Sequence, residues 1–242
     1  MNERQLIDGC LEYLHGRYTI VSAIVAGSAA SSEPGKALDL DLCVVVKQGV
    51  LDRGRLSVSG EPVDLFVCGE ERVRTELLTG LQHHLKILFA GGRHVYGVEA
   101  TSDDLIALAR AAVSRPAPAP LPGAAFAYRS KPHGLLKKFH DVRNDDPGTA
   151  GFIVSALVQA SVDAFFALNR LWVGGVRQTV GTIRARDSQA AAALERVTRA
   201  DLSTLCEYPE LLDDMVRRLV GEESLEEVTW IVRAPGAAAM AS

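Results

Sequence analysis

The feature that most constrains the fold is a set of three short apolar segments between residues 18 and 68, each with a polar group at or near one end. The first segment ends in Gly27-Ser28, and ten residues separate it from Asp39-Leu40-Asp41, which opens the second. The third segment, Val63 to Cys68, contains one carboxylate, Asp64. Short apolar runs bounded by turn residues are typical of buried strands. The pattern predicts a sheet with polar groups along one edge.

Asp39 and Asp41 share one face of their strand, because successive side chains of an extended strand point to opposite faces. Two carboxylates this close repel each other unless a cation lies between them, and oxygen ligands of this kind suit Mg²⁺. Asp64 on a neighbouring strand would bring a third carboxylate to the same edge. It could bridge a second ion, or it could take a proton from an attacking hydroxyl.

Gly27 and Ser28 lie at the exit of the first strand, where a backbone without a side chain can approach a phosphate closely. The Ser28 hydroxyl can add a hydrogen bond. Together with the three acids, these residues predict a triphosphate site. The alternative interpretation is an ordinary turn beside three solvated acids at strand ends.

The arrangement resembles the nucleotidyltransferase superfamily typified by DNA polymerase beta and kanamycin nucleotidyltransferase. Its motif is a strand that ends in Gly-Ser or Gly-Gly, about ten residues, an Asp-apolar-Asp pair and a later strand with a third Asp. The resemblance covers roughly residues 18–98. It implies ATP or another NTP as co-substrate, and two Mg²⁺ ions held by catalytic carboxylates. The residues that it assigns are Gly27 and Ser28 for the nucleotide and Asp39, Asp41 and Asp64 for metal and catalysis.

A proline-rich stretch, residues 115–122, is the clearest domain boundary, since four prolines in eight residues make a stiff, extended connector. We predict a catalytic domain over residues 1–114, a helical domain over 123–234 that helps to bind the acceptor, and a flexible tail over 235–242. The predicted fold class is α+β: a mixed β-sheet of the nucleotidyltransferase kind with flanking helices, followed by a C-terminal antiparallel helical bundle.

Within the first domain, a hairpin turned at Ser59-Gly60 is predicted to carry Asp64 on its second arm. Pro34-Gly35 predicts a turn or short loop between the first two strands. Ser102 is the expected N-cap of a helix over residues 103–114. Beyond the boundary, the apolar pattern predicts helices over residues 123–144, 149–172, 187–200 and 208–221.

The helical domain adds further candidates. Lys137 or Lys138 could neutralise phosphate charge, and Asp141, which shares a helix face with Lys137, could contact the acceptor. Relatives of the kanamycin type take their general base from the helical domain, which makes Asp141 and Asp163 rivals of Asp64. The plainer interpretation of Lys137 and Asp141 is an ordinary surface ion pair. For Asp163 it is an ion pair with Arg170 or another basic side chain.

Composition limits the partners. The formal charge is −4, and nothing in the chain resembles the dense basic and aromatic surface of a nucleic-acid reader, so nucleic acid is not an expected partner. No uninterrupted apolar run approaches the 18 or more residues of a membrane span, and the first residues lack the pattern of a secretory signal. The four cysteines have no metal spacing. We expect a cytoplasmic protein.

The sequence predicts a Mg²⁺-dependent nucleotidyltransferase that moves AMP from ATP to a hydroxyl of a small molecule, with an aminoglycoside-like antibiotic as the acceptor class implied by the domain order. One alternative is AMP transfer to a protein side chain, as in the minimal nucleotidyltransferase antitoxins. The other is a nucleotide-binding protein without catalysis.

Overall fold

The computed structural model describes residues 2–31, 40–79 and 83–222. Its first ten elements are α1 (Glu3–His15), β1 (Ile20–Ala26), α2 (Gly27–Ser31), β2 (Leu40–Val46), β3 (Leu51–Val58), β4 (Glu61–Gly69), α3 (Glu70–Thr79), α4 (His83–Ala90), β5 (Arg93–Gly97) and α5 (Glu99–Val113). They are followed by α6 (Pro122–Val142), α7 (Pro147–Leu168), α8 (Val176–Arg186), α9 (Ser188–Arg199), α10 (Leu202–Glu207) and α11 (Glu210–Val220).

The chain divides into two units. The sheet unit comprises the described residues up to Pro116 together with Trp172–Gly175, and the helical unit comprises Ala117–Leu171 and the described residues from Val176 onward. The predicted α+β class, a mixed sheet with flanking helices followed by a helical bundle, is confirmed.

The five strands form one mixed sheet in the order β3-β4-β2-β1-β5. Strands β2 and β4 are parallel, and the other neighbours are antiparallel. The β3–β4 hairpin turns at Ser59 and Gly60, whose φ angles of 52° and 89° are both positive. Two positive φ values are typical of the turn that best matches the twist of a two-residue hairpin.

Strands β1, β2 and β4 are buried on both faces, because their alternate residues contribute to two separate apolar clusters. One cluster joins α1 to strand residues that include Leu42, Val44 and Val63. The other joins α3, α4 and α5 to strand residues that include Cys43, Val45 and Phe66. We call this second side the α3–α5 face.

The helical unit has its own core, to which α6, α7, α9 and α11 contribute the buried residues Phe139, Leu157, Leu194 and Met215. Helix α7 is, in the described part of the chain, the one helix long and apolar enough to cross a membrane, with mean hydropathy 1.7. The sequence of α7 has no uninterrupted apolar run of this length because polar residues such as Gln159 break the pattern. Since α7 supplies much of the apolar core, these properties are also those of a core helix.

Several details differ from the sequence prediction. Ser102 is not an N-cap, because α5 begins at Glu99 and Ser102 lies buried inside it, within 2.9 Å of His94 Nδ1. The link after β1 begins with the short helix α2 rather than a loop. Helix α7 ends at Leu168, four residues early, and α8 and α10 were not predicted. The predicted tail over residues 235–242 and the turn at Pro34-Gly35 lie outside the described residues.

Candidate active site

The exit of β1 brings backbone and carboxylate together. Gly27 has a φ of 62°, in the region that favours glycine. A Cβ atom placed on Gly27 would overlap with Oδ2 of Asp41, so the Asp41 carboxylate lies directly against the Gly27 backbone. The register explains the contact, since Ala26 pairs with Asp41 across β1 and β2. Ser28 follows as the second residue of α2, and its side chain lies outside the described part.

Asp41 and Asp64 lie next to each other on neighbouring strands. They are register partners in the parallel pair β2–β4, and adjacent strands lie about 4.8 Å apart. Asp41 is two residues from Cys43 and Asp64 is two residues from Phe66, and residues two apart in a strand share a face. Since Cys43 and Phe66 belong to the α3–α5 face, both carboxylates are on that side of the sheet. The two acids are partly exposed at the sheet edge.

Asp39 lies outside the described residues. In residues 2–31, 40–79 and 83–222, no group of three His, Cys, Asp or Glu side chains is arranged to hold a metal ion. Asp41 and Asp64 offer hard oxygen donors, the type that Mg²⁺ prefers, and a carboxylate has lone pairs for more than one partner. Asp41 and Asp64 are therefore suitable as two of the three Mg²⁺ ligands that the resemblance implies.

Asp64 already has a partner on the edge strand. Arg55 of β3 donates from Nε to Oδ1 at 2.7 Å and from a terminal nitrogen to Oδ2 at 3.2 Å, a two-pronged ion pair. The pair follows from the register, because Arg55 lies opposite Asp64 in the hairpin. The Asp64 side chain is 22% exposed and that of Arg55 68% exposed. The carboxylate is therefore held in place while its partner reaches into solvent.

The same contacts determine the charge of Asp64. The hydrogen bond from Arg55 lowers the pKa of the Asp64 carboxyl, partial burial opposes this, and the positive charges of Arg55 and Arg53 lower the pKa further. The net shift is downward. Asp64 is an anion at neutral pH, as a metal ligand must be.

Arg53 lies two residues from Arg55 on the same face of β3. Its guanidinium carbon is 4.9 Å from the centre of the Phe66 ring, a cation–π contact. Arg53 and Arg55 were not among the predicted site residues. The signal was present, since a two-residue turn at Ser59-Gly60 pairs Val58 with Glu61 and, counted outward, Arg55 with Asp64.

The candidates of the helical unit are all on its surface. Lys137, Lys138 and Asp141 are exposed on α6. Asp163 is exposed on α7 and accepts a hydrogen bond from Gln159 Nε2 at 2.8 Å. The predicted partner Arg170 donates instead to the backbone oxygen of Ala117 at 3.0 Å. Asp163 is thus neither buried nor paired with Arg170.

Comparison with known proteins adds little. No family model matches the chain, and no curated protein matches it. One similar solved structure is a nucleotidyltransferase-like protein from Exiguobacterium sibiricum 255-15, with 14% sequence identity and a TM-score of 0.40, over 96% of this chain and 79% of that one. A likeness of this size carries over no activity.

Proposed function

We propose that this protein is a Mg²⁺-dependent nucleotidyltransferase. It transfers a nucleoside monophosphate, AMP from ATP, to a hydroxyl of a small molecule and releases pyrophosphate. The observation that supports the proposal is the row formed by Gly27, Asp41 and Asp64, in which two register-matched carboxylates lie beside a glycine corner on one sheet edge. The function fits a protein of the cytoplasm.

The carboxylates of Asp41 and Asp64, with Asp39, would hold two Mg²⁺ ions. When bound, the ions would neutralise triphosphate charge and acidify the acceptor hydroxyl. Gly27 and Ser28 bind the β- and γ-phosphates, since a backbone without a side chain admits them closely. Arg55 fixes the orientation of Asp64 through its two hydrogen bonds. The acceptor oxygen bonds to the α-phosphorus, and the bond from that phosphorus to the β-phosphate oxygen breaks.

The proton of the acceptor hydroxyl needs a base. Asp64, Asp141 and Asp163 are the three candidates. Both oxygens of Asp64 accept hydrogen bonds from Arg55, which favours the role of ligand over that of proton acceptor. Lys137 and Lys138 remain candidates for phosphate neutralisation in the helical unit. An aminoglycoside-like antibiotic, and hence antibiotic resistance, is the acceptor class that the domain order suggests.

The proposal is tested with ATP labelled in the α-phosphate, Mg²⁺ and a panel of small hydroxyl compounds. We expect pyrophosphate release and label in the small-molecule fraction. Asp39→Asn and Asp41→Asn should both lose this release with unchanged thermal melting, because each removes a ligand charge. The control is Asp8→Asn, which removes an exposed carboxylate of α1 that pairs with Arg4 one helical turn away.

The outcome separates the rival functions. Retained turnover in both variants would end the metal assignment. Label that enters protein from a lysate would indicate transfer to a side chain. Tight ATP binding without pyrophosphate release against every acceptor would indicate a binding protein without catalysis.

A further inference from the structure

The groups of the candidate site follow each other in a fixed order across the sheet. Strand order β1-β2-β4-β3 places Gly27 beside Asp41, Asp41 beside Asp64 and Asp64 beside Arg55. The row therefore runs from a glycine corner through two carboxylates to a guanidinium. The glycine corner and the positively charged guanidinium are at opposite ends of this row, with the two carboxylates between them.

Under the proposed function, on which this inference rests, the triphosphate occupies the Gly27 end. The α-phosphorus then lies by the acids, and the acceptor must approach from the remaining side. That side is the edge strand β3, which presents Arg55 at the sheet edge and Arg53 two residues further along the same face. The two arginines consequently flank the acceptor rather than the triphosphate.

A guanidinium binds planar or tetrahedral oxyanions through two parallel hydrogen bonds, and it keeps its charge at any physiological pH. Arg55 donates two hydrogen bonds to Asp64 and adds a positive charge at this edge, and its side chain is 68% exposed. In Arg53 the aromatic ring of Phe66 supports the guanidinium from one side and leaves it on the surface. Each side chain is thus held by its own neighbour in a fixed place on the α3–α5 face.

We propose that Arg53, with the positive charge of Arg55 beside it, binds an oxyanion of the acceptor, so that the acceptor is a hydroxyl compound that also carries a phosphate or carboxylate group. This class replaces the aminoglycoside that the domain order suggests, because the ammonium groups of a polycation would meet two guanidinium groups next to the reacting hydroxyl, and it leaves the proposed transfer reaction unchanged. The oxyanion would approach Arg53 first, because the charge of Arg55 is partly offset by Asp64.

The test uses three probes that share hydroxyl groups and differ in charge: glycerol, glycerate and glycerol 3-phosphate. The full chain, labelled with ¹⁵N and saturated with Mg²⁺ and a non-hydrolysable ATP analogue, is titrated with each probe and followed by NMR. We expect glycerol 3-phosphate, glycerate or both to shift the amide signals of β3 and β4. The affinity for glycerol should be at least about tenfold lower, which is the typical effect of losing a charge-assisted hydrogen bond. The two anions show which oxyanion is preferred.

Variants locate the site. Arg53→Gln should lower the affinity for the anionic probe about tenfold and leave the affinity for the ATP analogue within about twofold of the unchanged protein's. Arg55→Gln should also weaken the probe. The matched control is Arg72→Gln on α3, an exposed arginine of the same unit that pairs with Glu76 one turn away. It should change neither affinity. Thermal melting of each variant confirms that it is folded.

Three results would overturn the inference while leaving the proposed function intact. The first is binding of glycerol as strong as that of the anions. The second is a loss of ATP-analogue affinity in Arg53→Gln with unchanged probe affinity, which would assign the arginines to the triphosphate. The third is tight binding of an aminoglycoside that Arg53→Gln does not weaken. Failure of the wild-type chain to bind the ATP analogue with Mg²⁺ would instead refute the proposed function, and the acceptor assignment with it.

Discussion

Gly27 is the single residue on which the geometry of the sheet edge depends most directly. Its positive φ turns the chain out of β1, and its missing side chain leaves the space that the Asp41 carboxylate occupies. Both properties are needed at the same position. Any other residue would have to displace the carboxylate and also adopt a disfavoured backbone conformation.

We therefore predict that Gly27→Ala reduces nucleotidyl transfer severely and lowers the free energy of unfolding by about 1–2 kcal/mol, the cost of a left-handed alanine. Pyrophosphate release and thermal melting measure the two effects. Gly49→Ala is the control, because a Cβ atom on Gly49 would meet no other atom within 4 Å. Normal activity in Gly27→Ala would contradict the assignment of this corner to the site.

At the residue scale, the relation between Asp41 and Asp64 could be predicted, and the role of Ser102 could not. The alternation of side chains in a strand is a local property, and the sequence predicted that Asp64 would lie at the same edge as Asp41; the two are register partners in β2 and β4. Ser102 shows the limit of local reasoning. A serine before an apolar run is a good cap in isolation, but here Ser102 is a buried residue of helix α5, and its hydroxyl contacts His94 of strand β5. The sequence pattern of one helix does not show such partners in a neighbouring element.

Among the elements, the β3–β4 hairpin was the most predictable, because a two-residue turn determines every pair beyond it. Helices α8 and α10 were the least predictable. Helix α8 contains Gly181 and several β-branched residues, which are weak helix formers, and Ile183 is its one fully buried residue in the described part. Helix α10 has six residues, too few for a periodic apolar pattern. Packing rather than propensity determines both.

Helix α9 begins with a side-chain cap. The Asp187 carboxylate accepts hydrogen bonds from the backbone N–H groups of Gln189 and Ala190, both at 2.9 Å. We predict that Asp187→Ala lowers the free energy of unfolding by about 1 kcal/mol, since these donors lose their partner. Urea denaturation provides the measurement. Asp187→Ser should recover most of the loss, and an equal loss in both variants would show that the charge rather than the cap matters.

Asp214 connects α9 to α11. Its carboxylate contacts Arg196 of α9 at 2.5 Å, and Arg217 and Arg218 of its own helix at 2.7 and 2.9 Å. Partial burial raises the pKa of Asp214, but the hydrogen bonds from Arg217 and Arg218 and the charges of Arg218 and Arg196 outweigh it, and the net direction is downward. With only 18% of the side chain exposed, this ion-pair cluster is less screened than a surface pair.

The direction of this shift gives a pH dependence. Because the pKa of Asp214 is lower in the folded than in the unfolded chain, its contribution is complete above the ordinary aspartate value of about 3.9 and is lost as the pH falls through the folded value. We predict that Asp214→Asn costs about 1–2 kcal/mol at pH 7 and progressively less below about pH 4.

Urea denaturation at a series of pH values tests this. Asp145→Asn, which removes an exposed carboxylate of the same unit, should change the free energy of unfolding by less than about 0.5 kcal/mol at every pH. A cost of Asp214→Asn that is the same at pH 3 and pH 7 would show that packing, not charge, is responsible.

On the scale of the whole molecule, each unit has a core of its own, and the chain does not divide at one point. Residues Trp172–Gly175, between α7 and α8, belong to the sheet unit. The Trp172 indole donates a hydrogen bond to the backbone oxygen of Arg115 at 2.6 Å. The ammonium of Lys86, a buried lysine of α4, lies 5.1 Å from the centre of the indole ring.

We predict that Trp172→Ala lowers the free energy of unfolding of the sheet unit by about 1–3 kcal/mol, because it leaves the Lys86 ammonium without its aromatic neighbour in a buried place. Trp172→Phe keeps a ring and should recover about half of the loss. Hydrogen exchange of the β1 and β5 amides measures the stability of this unit separately. If Trp172→Ala leaves their protection unchanged, the tryptophan does not stabilise the sheet.

The return of residues 172–175 to the sheet unit has a consequence for any exchange of parts between this protein and others. A gene cut at the proline-rich stretch would yield a sheet fragment that lacks Trp172. The helical fragment would carry Trp172–Gly175, which belong to the sheet unit. Recombination at a single junction would therefore separate Lys86 from the indole above it. A functional hybrid requires two junctions, or a donor whose own tetrapeptide fits the recipient's lysine.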